Sequence, residues 1–142
     1  MYLAFYKKPK TTVEKLIKFF TRSNYVHCEI VTVKLEHTFY GYTSDIGVGV
    51  CARWKEYKSD DWEFIKIDDC KGVTELRSFY QKTKNRKYDY LGVLGFVLGT
   101  PQNPKRYFCS EWCAEFLGVE KPYKVTPAKL KELFSVWGSY EI

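Results

Sequence analysis

Two stretches of the chain hold the residue types of a thiol nucleophile and its base. One is Asn24-Tyr25-Val26-His27-Cys28-Glu29-Ile30-Val31-Thr32-Val33-Lys34-Leu35, and the other is Lys105-Arg106-Tyr107-Phe108-Cys109-Ser110-Glu111-Trp112-Cys113-Ala114-Glu115-Phe116. Only two histidines exist, His27 and His37, so proton transfer by imidazole rests on one of them. A cysteine nucleophile needs a base within hydrogen-bonding reach and a third group to hold that base. Read as a strand, the first stretch puts His27 and Glu29 on one face with Val31, Val33 and Leu35, where imidazole and carboxylate can touch. In the second, Cys109 falls at the expected start of a helix. The helix dipole and the first backbone N–H groups favour a thiolate there and can hold a developing oxyanion. A free thiol ionises near ~8.5, whereas a helix N-terminus and a neighbouring imidazolium bring it to about 3.5–7.5.

The same atoms have quieter uses. His27 and Glu29 can be an ion pair at a strand edge. Cys109 and Cys113 share a helical stripe with Trp112 and Phe116 and can be small core residues, the reading adopted for Cys113. His27, Cys109 and Cys113 offer three zinc ligands, but cysteines four apart on a helix are not a zinc-knuckle spacing and no further ligand stands out. No metal and no other cofactor is expected.

The elements that must position these residues follow from periodicity and punctuation. Tyr2 to Tyr6 suits a first strand. Thr11 and Glu14 form a capping-box pattern, and Val13, Leu16, Ile17 and Phe20 predict an amphipathic helix over 12–21. Further strands are expected at His37 to Tyr42, Val48 to Trp54 and Trp62 to Ile67, with a turn at Ser44-Asp45-Ile46-Gly47. Val73, Leu76, Phe79 and Tyr80 mark a helix, and Tyr88 to Leu98 another, before Pro101 and Pro104 interrupt. Cys109 to Leu117 is a helix ended by Gly118, and Thr126-Pro127 opens a helix through Phe134. The tail from Ser135 to Ile142 is read as a returning strand. Strands first and helices after give one α+β domain over 1–142, with an antiparallel sheet packed against helices.

Composition bounds the functions. In 142 residues, 45% hydrophobic and 18% aromatic content suffice for a core. The net charge of +6 comes from 23 Lys+Arg against 17 Asp+Glu. The basic residues are scattered, and no zinc-finger spacing or RNP-like motif accompanies them, so solvated surface rather than a specific nucleic-acid site is expected. Cys28, Cys51, Cys70, Cys109 and Cys113 are an odd number that fits no disulfide framework. With no secretory pattern in the first residues, a reducing cytoplasm and free thiols are expected. The longest apolar run, Tyr90 to Leu98, is far short of the roughly 20 residues of a membrane span, so no transmembrane segment is expected.

A strand-borne His27-x-Glu29 followed late by Phe108-Cys109-Ser110-Glu111 resembles the circularly permuted papain-like thiol hydrolases, the NlpC-like YiiX group, in which the histidine precedes the cysteine. The similarity extends along the chain. Tyr2-Leu3-Ala4-Phe5 looks like the family's first strand. Leu16 to Phe20 and Ser23-Asn24-Tyr25-Val26-His27 resemble its short helix and Ser-x-x-x-His-x-Glu strand. Tyr40-Gly41-Tyr42-Thr43-Ser44 with Ile46-Gly47-Val48 looks like its next strand and Gly-Val turn. Tyr88-Asp89-Tyr90-Leu91-Gly92 resembles the opening of its central helix, and Thr126-Pro127-Ala128-Lys129-Leu130 its closing segment. The resemblance implies a permuted papain-like fold with the nucleophile helix near the C-terminus. It also implies a phage or viral relative, a Cys109 nucleophile, a His27 base and a Glu29 orienting acid. The cysteine helix would then pack on the His27–Glu29 face, while Cys28 points away and serves packing. Glu36 and Asp45 are alternative orienting acids. The implied substrate is a peptide, another amide or a lipid ester. A non-enzymatic binding module on the same fold is the alternative. Neither substrate identity nor oligomeric state is legible.

Overall fold

The computed structural model describes residues 1–35, 38–67, 71–99 and 103–136. In its sheet β1 (Tyr2–Tyr6) pairs antiparallel with both β2 (His27–Leu35), the central strand, and β5 (Trp62–Lys66), an edge. Outside β2 lie β3 (Thr38–Asp45) and β4 (Gly49–Glu56), so the five-stranded antiparallel sheet has the order β4-β3-β2-β1-β5. The register between β2 and β3 shifts between Val31 and Lys34. The strands begin and end a little apart from their predicted limits. β3 runs on through Ser44 and Asp45, and the turn is at 46–48. His37 and Glu36 lie outside the described residues, as do Cys70, Pro101 and residues 137–142 of the expected tail strand.

The helices are α1 (Thr12–Thr21), α2 (Val73–Thr83), α3 (Tyr90–Leu98), α4 (Cys109–Leu117) and α5 (Pro127–Ser135). Their ends follow local chemistry. At α1, Thr11 accepts from the Glu14 N–H at 3.1 Å and Glu14 accepts from the Thr11 N–H at 2.9 Å, which completes the capping box. At α4, Gly118 takes the left-handed conformation (φ 77°) that stops the helix. Thr126 caps α5, with Pro127 in its first turn. Tyr88 is not helical. It belongs to β6 (Lys87–Tyr88), which forms a short parallel ladder with β7 (Arg106–Tyr107). Asp89 then caps α3 by accepting from the Gly92 N–H at 3.0 Å. The Asp89 N–H in turn donates to the Tyr107 carbonyl at 2.9 Å, so the chain leaves for α3 and returns at one place.

Alternation along the strands divides the core in two. Leu3, Phe5, Cys28, Ile30 and Ile65 form one face, covered by Trp112, Cys113 and Phe116 of α4, Leu76 of α2 and Leu130 of α5. The buried Trp112 indole donates to Thr83 Oγ1 at 2.9 Å, so its polar atom is not stranded. Ala4, Tyr6, Val31, Phe39, Tyr57 and Trp62 form the second cluster, on the opposite face. Among the described residues no helix is long and apolar enough to cross a membrane.

Candidate active site

Glu29 is 1% exposed, and a carboxylate at that depth stays ionised only if its oxygens are well satisfied. Four side chains serve it. His27 Nε2 lies 3.1 Å from Oε1, the Lys55 ammonium donates to Oε1 at 2.9 Å, and the Tyr57 hydroxyl donates to Oε2. The Arg53 guanidinium stands 4.0 Å from Oε1 and pairs more closely with Asp45. Burial works against the charge, but His27, Lys55 and Tyr57 together bring the Glu29 carboxyl down to about 2. Asp45, an alternative orienting acid, is therefore occupied by Arg53, and Glu29 is the acid on the imidazole.

Strand pairing explains the convergence. Antiparallel partners share a face, and Tyr6 pairs with His27, Ala4 with Glu29 and Tyr6 with Trp62. Across β3, Gly41 pairs with Val31 on one side and Arg53 on the other. Lys55 follows two residues on, so Glu29, Arg53 and Lys55 all rise from one face. Gly41 is the glycine this cluster requires: a Cβ there would stand 2.1 Å from the Tyr57 hydroxyl and 2.6 Å from Glu29 Oε2. Trp62 walls the site, with its ring 6.2 Å from that of His27 and 4.4 Å from the Lys55 ammonium.

Cys109 begins α4, after Phe108 as N-cap. Its thiol is held well below the ordinary thiol range. A hydrogen bond from the Cys28 thiol is the largest cause, burial opposes it, and the charge and hydrogen bond of His27 then add to it. His27 moves the other way. Burial disfavours the imidazolium, but Cys109 first and Glu29 second raise it well above the usual value. Both directions describe a thiolate–imidazolium pair. Cys28 stays a thiol, because burial and its bond to Cys109 push it far up. Tyr88 is buried near enough to feel the Cys109 charge, and burial with that charge keeps its hydroxyl protonated. Cys113 lies in the dry core, its Sγ 3.9 Å from the Cys28 carbonyl.

The structure thus brings together all three residues singled out in the sequence, His27, Glu29 and Cys109, but corrects how they meet. The cysteine helix covers the Cys28–Ile30 face, not the His27–Glu29 face. His27 reaches Cys109 from the first position of β2, at the end of the strand. Cys28 does point away from His27, but toward α4, so it is hydrogen-bonded to Cys109 rather than packing alone. Sequence reasoning missed Lys55, Tyr57 and Arg53. Their signal was the period-two run Cys51, Arg53, Lys55, Tyr57, which only strand register ties to Glu29. Four described cysteines, Cys28, Cys51, Cys109 and Cys113, are free thiols. Among the described residues no group of three or more His, Cys, Asp and Glu side chains is arranged to hold a metal ion. Compared with protein-family models and with curated proteins, the chain matches none.

Proposed function

We propose that the chain is a thiol hydrolase of the permuted papain-like kind, cleaving an amide or ester through an acyl-enzyme on Cys109. The observation that carries this reading is the convergence of three buried side chains: the His27 imidazole lies 3.1 Å from Glu29 Oε1 and is hydrogen-bonded to the Cys109 thiol at the start of α4, an arrangement that lowers the thiol and raises the imidazole. The Cys109 thiolate attacks the substrate carbonyl carbon, and the C=O electron pair becomes an oxyanion near the Cys109 N–H at the start of α4. With Nε2 on Glu29, Nδ1 of the imidazolium gives its proton to the leaving amine or alkoxide as the C–N or C–O bond breaks. A thioester remains. Water then attacks it, His27 takes the water proton, and the carboxylic acid leaves as the thiolate re-forms. Glu29 holds the ring and stabilises its charge without taking the proton. The reaction suits a reducing compartment such as the cytoplasm, where thiols persist.

The test is turnover of amide and ester libraries by the wild type and by Cys109→Ala, with mass spectrometry of the intact protein to trap an acyl adduct on Cys109. Turnover and adduct that both vanish in the variant support the reading. Turnover that survives Cys109→Ala refutes it.

One observation favours a second reading, a non-enzymatic binding module recognising a peptide, lipid or anionic partner. Cys109 is 1% exposed and His27 5% exposed, so a substrate meets the sulfur only after its cover moves. Under that reading Cys109→Ala keeps full partner binding, and Cys109 resists alkylation at every pH short of unfolding.

A further inference from the structure

The outer side of α1 combines features that burial does not explain. Its inner side is fixed by Ile17 and Val13, which pack with Tyr88, Val93 and Phe108. Outward, at helical spacing, stand Leu16, Phe19 and Phe20, with Phe19 74% exposed. The neighbouring helix α3, packed against α1, adds Leu91 at 60% exposed. An exposed group of this kind on a helix whose outer face should be polar marks a contact surface. Lys15, Lys18 and Arg22 form a stripe that runs along one side of this apolar group and meets it at Phe19, and among the described residues none of the three has an acidic partner. Glu14, the helix's one acid, is turned inward to accept from the Lys10 and Thr11 N–H groups at 2.7 and 2.9 Å. Lys15, Lys18, Phe19, Arg22, Ser23 and Asn24 line a shallow recess of about 400 Å³.

We propose that α1 is a docking surface for an anionic phospholipid bilayer, with Phe19 and Phe20 entering the headgroup–acyl boundary and Lys15, Lys18 and Arg22 meeting lipid phosphates. Cations beside large apolar side chains on one helix are the composition that lies in such an interface. Nucleic acid fits the cations but not the rest. Leu16 and Leu91 cannot stack on bases, and the Phe19 and Phe20 rings meet edge to face, 5.1 Å apart at 81°, rather than presenting an open platform. The inner side of α1 rests on Phe108, the residue before Cys109, so docking sets the bilayer beside the start of α4. The docking itself does not depend on the chemistry of Cys109.

The experiment is cosedimentation of the full chain with vesicles of phosphatidylcholine alone, or with about one-third phosphatidylglycerol. The expected result is binding to the anionic vesicles that weakens with salt. The paired variant Lys15→Gln/Lys18→Gln should bind about thirtyfold more weakly, and Phe19→Ser about tenfold. Lys124→Gln, on the turn that packs against α4, and Cys109→Ala should bind like the wild type, which keeps this inference separate from the catalytic one. The exposed positions keep folding intact, checked by unchanged thermal melting. No binding to anionic vesicles, or equal binding by every variant, would overturn the inference. So would binding that inorganic phosphate abolishes but Phe19→Ser leaves intact, which makes the recess a phosphate site. Displacement by a single-stranded oligonucleotide with the same residue dependence assigns the surface to nucleic acid instead.

Discussion

Cys28 and Ile30 on one face of β2 and His27 and Glu29 on the other are equally hidden from water, but by opposite means. The first pair lies under α4 among Leu3, Phe5, Trp112 and Phe116, where exclusion of water is itself the stabilising term. The second pair lies among Lys55, Arg53, Tyr57 and Trp62, where each buried polar atom needs a partner. A shift of one residue along the strand separates the two environments. Cys109 belongs to both: its sulfur takes a hydrogen bond from Cys28 on the dry side and feels His27 from the charged side. Dry packing and charge are thus brought to one atom from opposite faces of one strand.

The largest break in that comparison should come from His27→Ala. Alkylation of Cys109 by iodoacetamide, read by mass spectrometry across pH, should be fast at mildly acidic pH in the wild type. It should fall by about a hundredfold or more in the variant, as expected for loss of a positioned acid–base partner. An unchanged Cys109 profile would remove His27 from the site. On the dry face, Ile30→Ala should lower unfolding stability by about 2–5 kcal/mol through lost burial and a cavity. Its Cys109 alkylation profile should stay put, and a displaced profile would mean that the two faces are not separable.

Tyr57→Phe is a smaller change on the charged face. Loss of one hydrogen bond to a carboxylate should cost about 1.5–3 kcal/mol in urea unfolding. It also has a pH signature. Glu29 is depressed to about 2 in the folded chain, against ~4.3 for an unperturbed glutamate. Its contribution is therefore fully present above ~4.3 and lost as pH falls toward 2. Without the Tyr57 donor the folded carboxyl rises, so acid destabilisation of the variant should narrow to the upper part of that window. An unaltered acid limb would show that Tyr57 does not support the charge. The smallest effect should be that of Cys28→Ala: its bond is the largest single support of the Cys109 thiolate, but the charge and the hydrogen bond of His27 remain and act together. The acid edge of Cys109 alkylation should move to higher pH, by less than in His27→Ala. A shift as large as that of His27→Ala would make Cys28 an equal partner.

Local signals in the sequence were the ones that survived folding. Thr11 with Glu14 and Thr126 with Pro127 act within one turn, so α1 and α5 begin where their residues say. Cys109 and Gly118 bracket α4 for the same reason. His27 touches Glu29 because the two are neighbours along a strand face. Everything that depends on register was out of reach. Glu29 meets Lys55 and Tyr57 only because Gly41 aligns β3 between β2 and β4, next to a register shift after Val31 that no residue pattern announces. The side of the sheet taken by α4 was likewise hidden. Apolar residues occur on both faces of β2, and only the cover supplied by Leu76 and Leu130, distant in sequence, decides between them.

The parallel pairing of Lys87-Tyr88 with Arg106-Tyr107 closes the excursion through α3 at its base. Arg86 reinforces the closure by donating to the Pro104 carbonyl at 3.1 Å and the Tyr107 hydroxyl at 2.9 Å. Both ends of the segment are fastened beside the first turn of α4, and Val93 within it packs on Phe108, the residue before Cys109. The ladder acts as a clasp: it fixes where α4 begins, and with it the depth of the sulfur, from a point separate from the strand that carries His27.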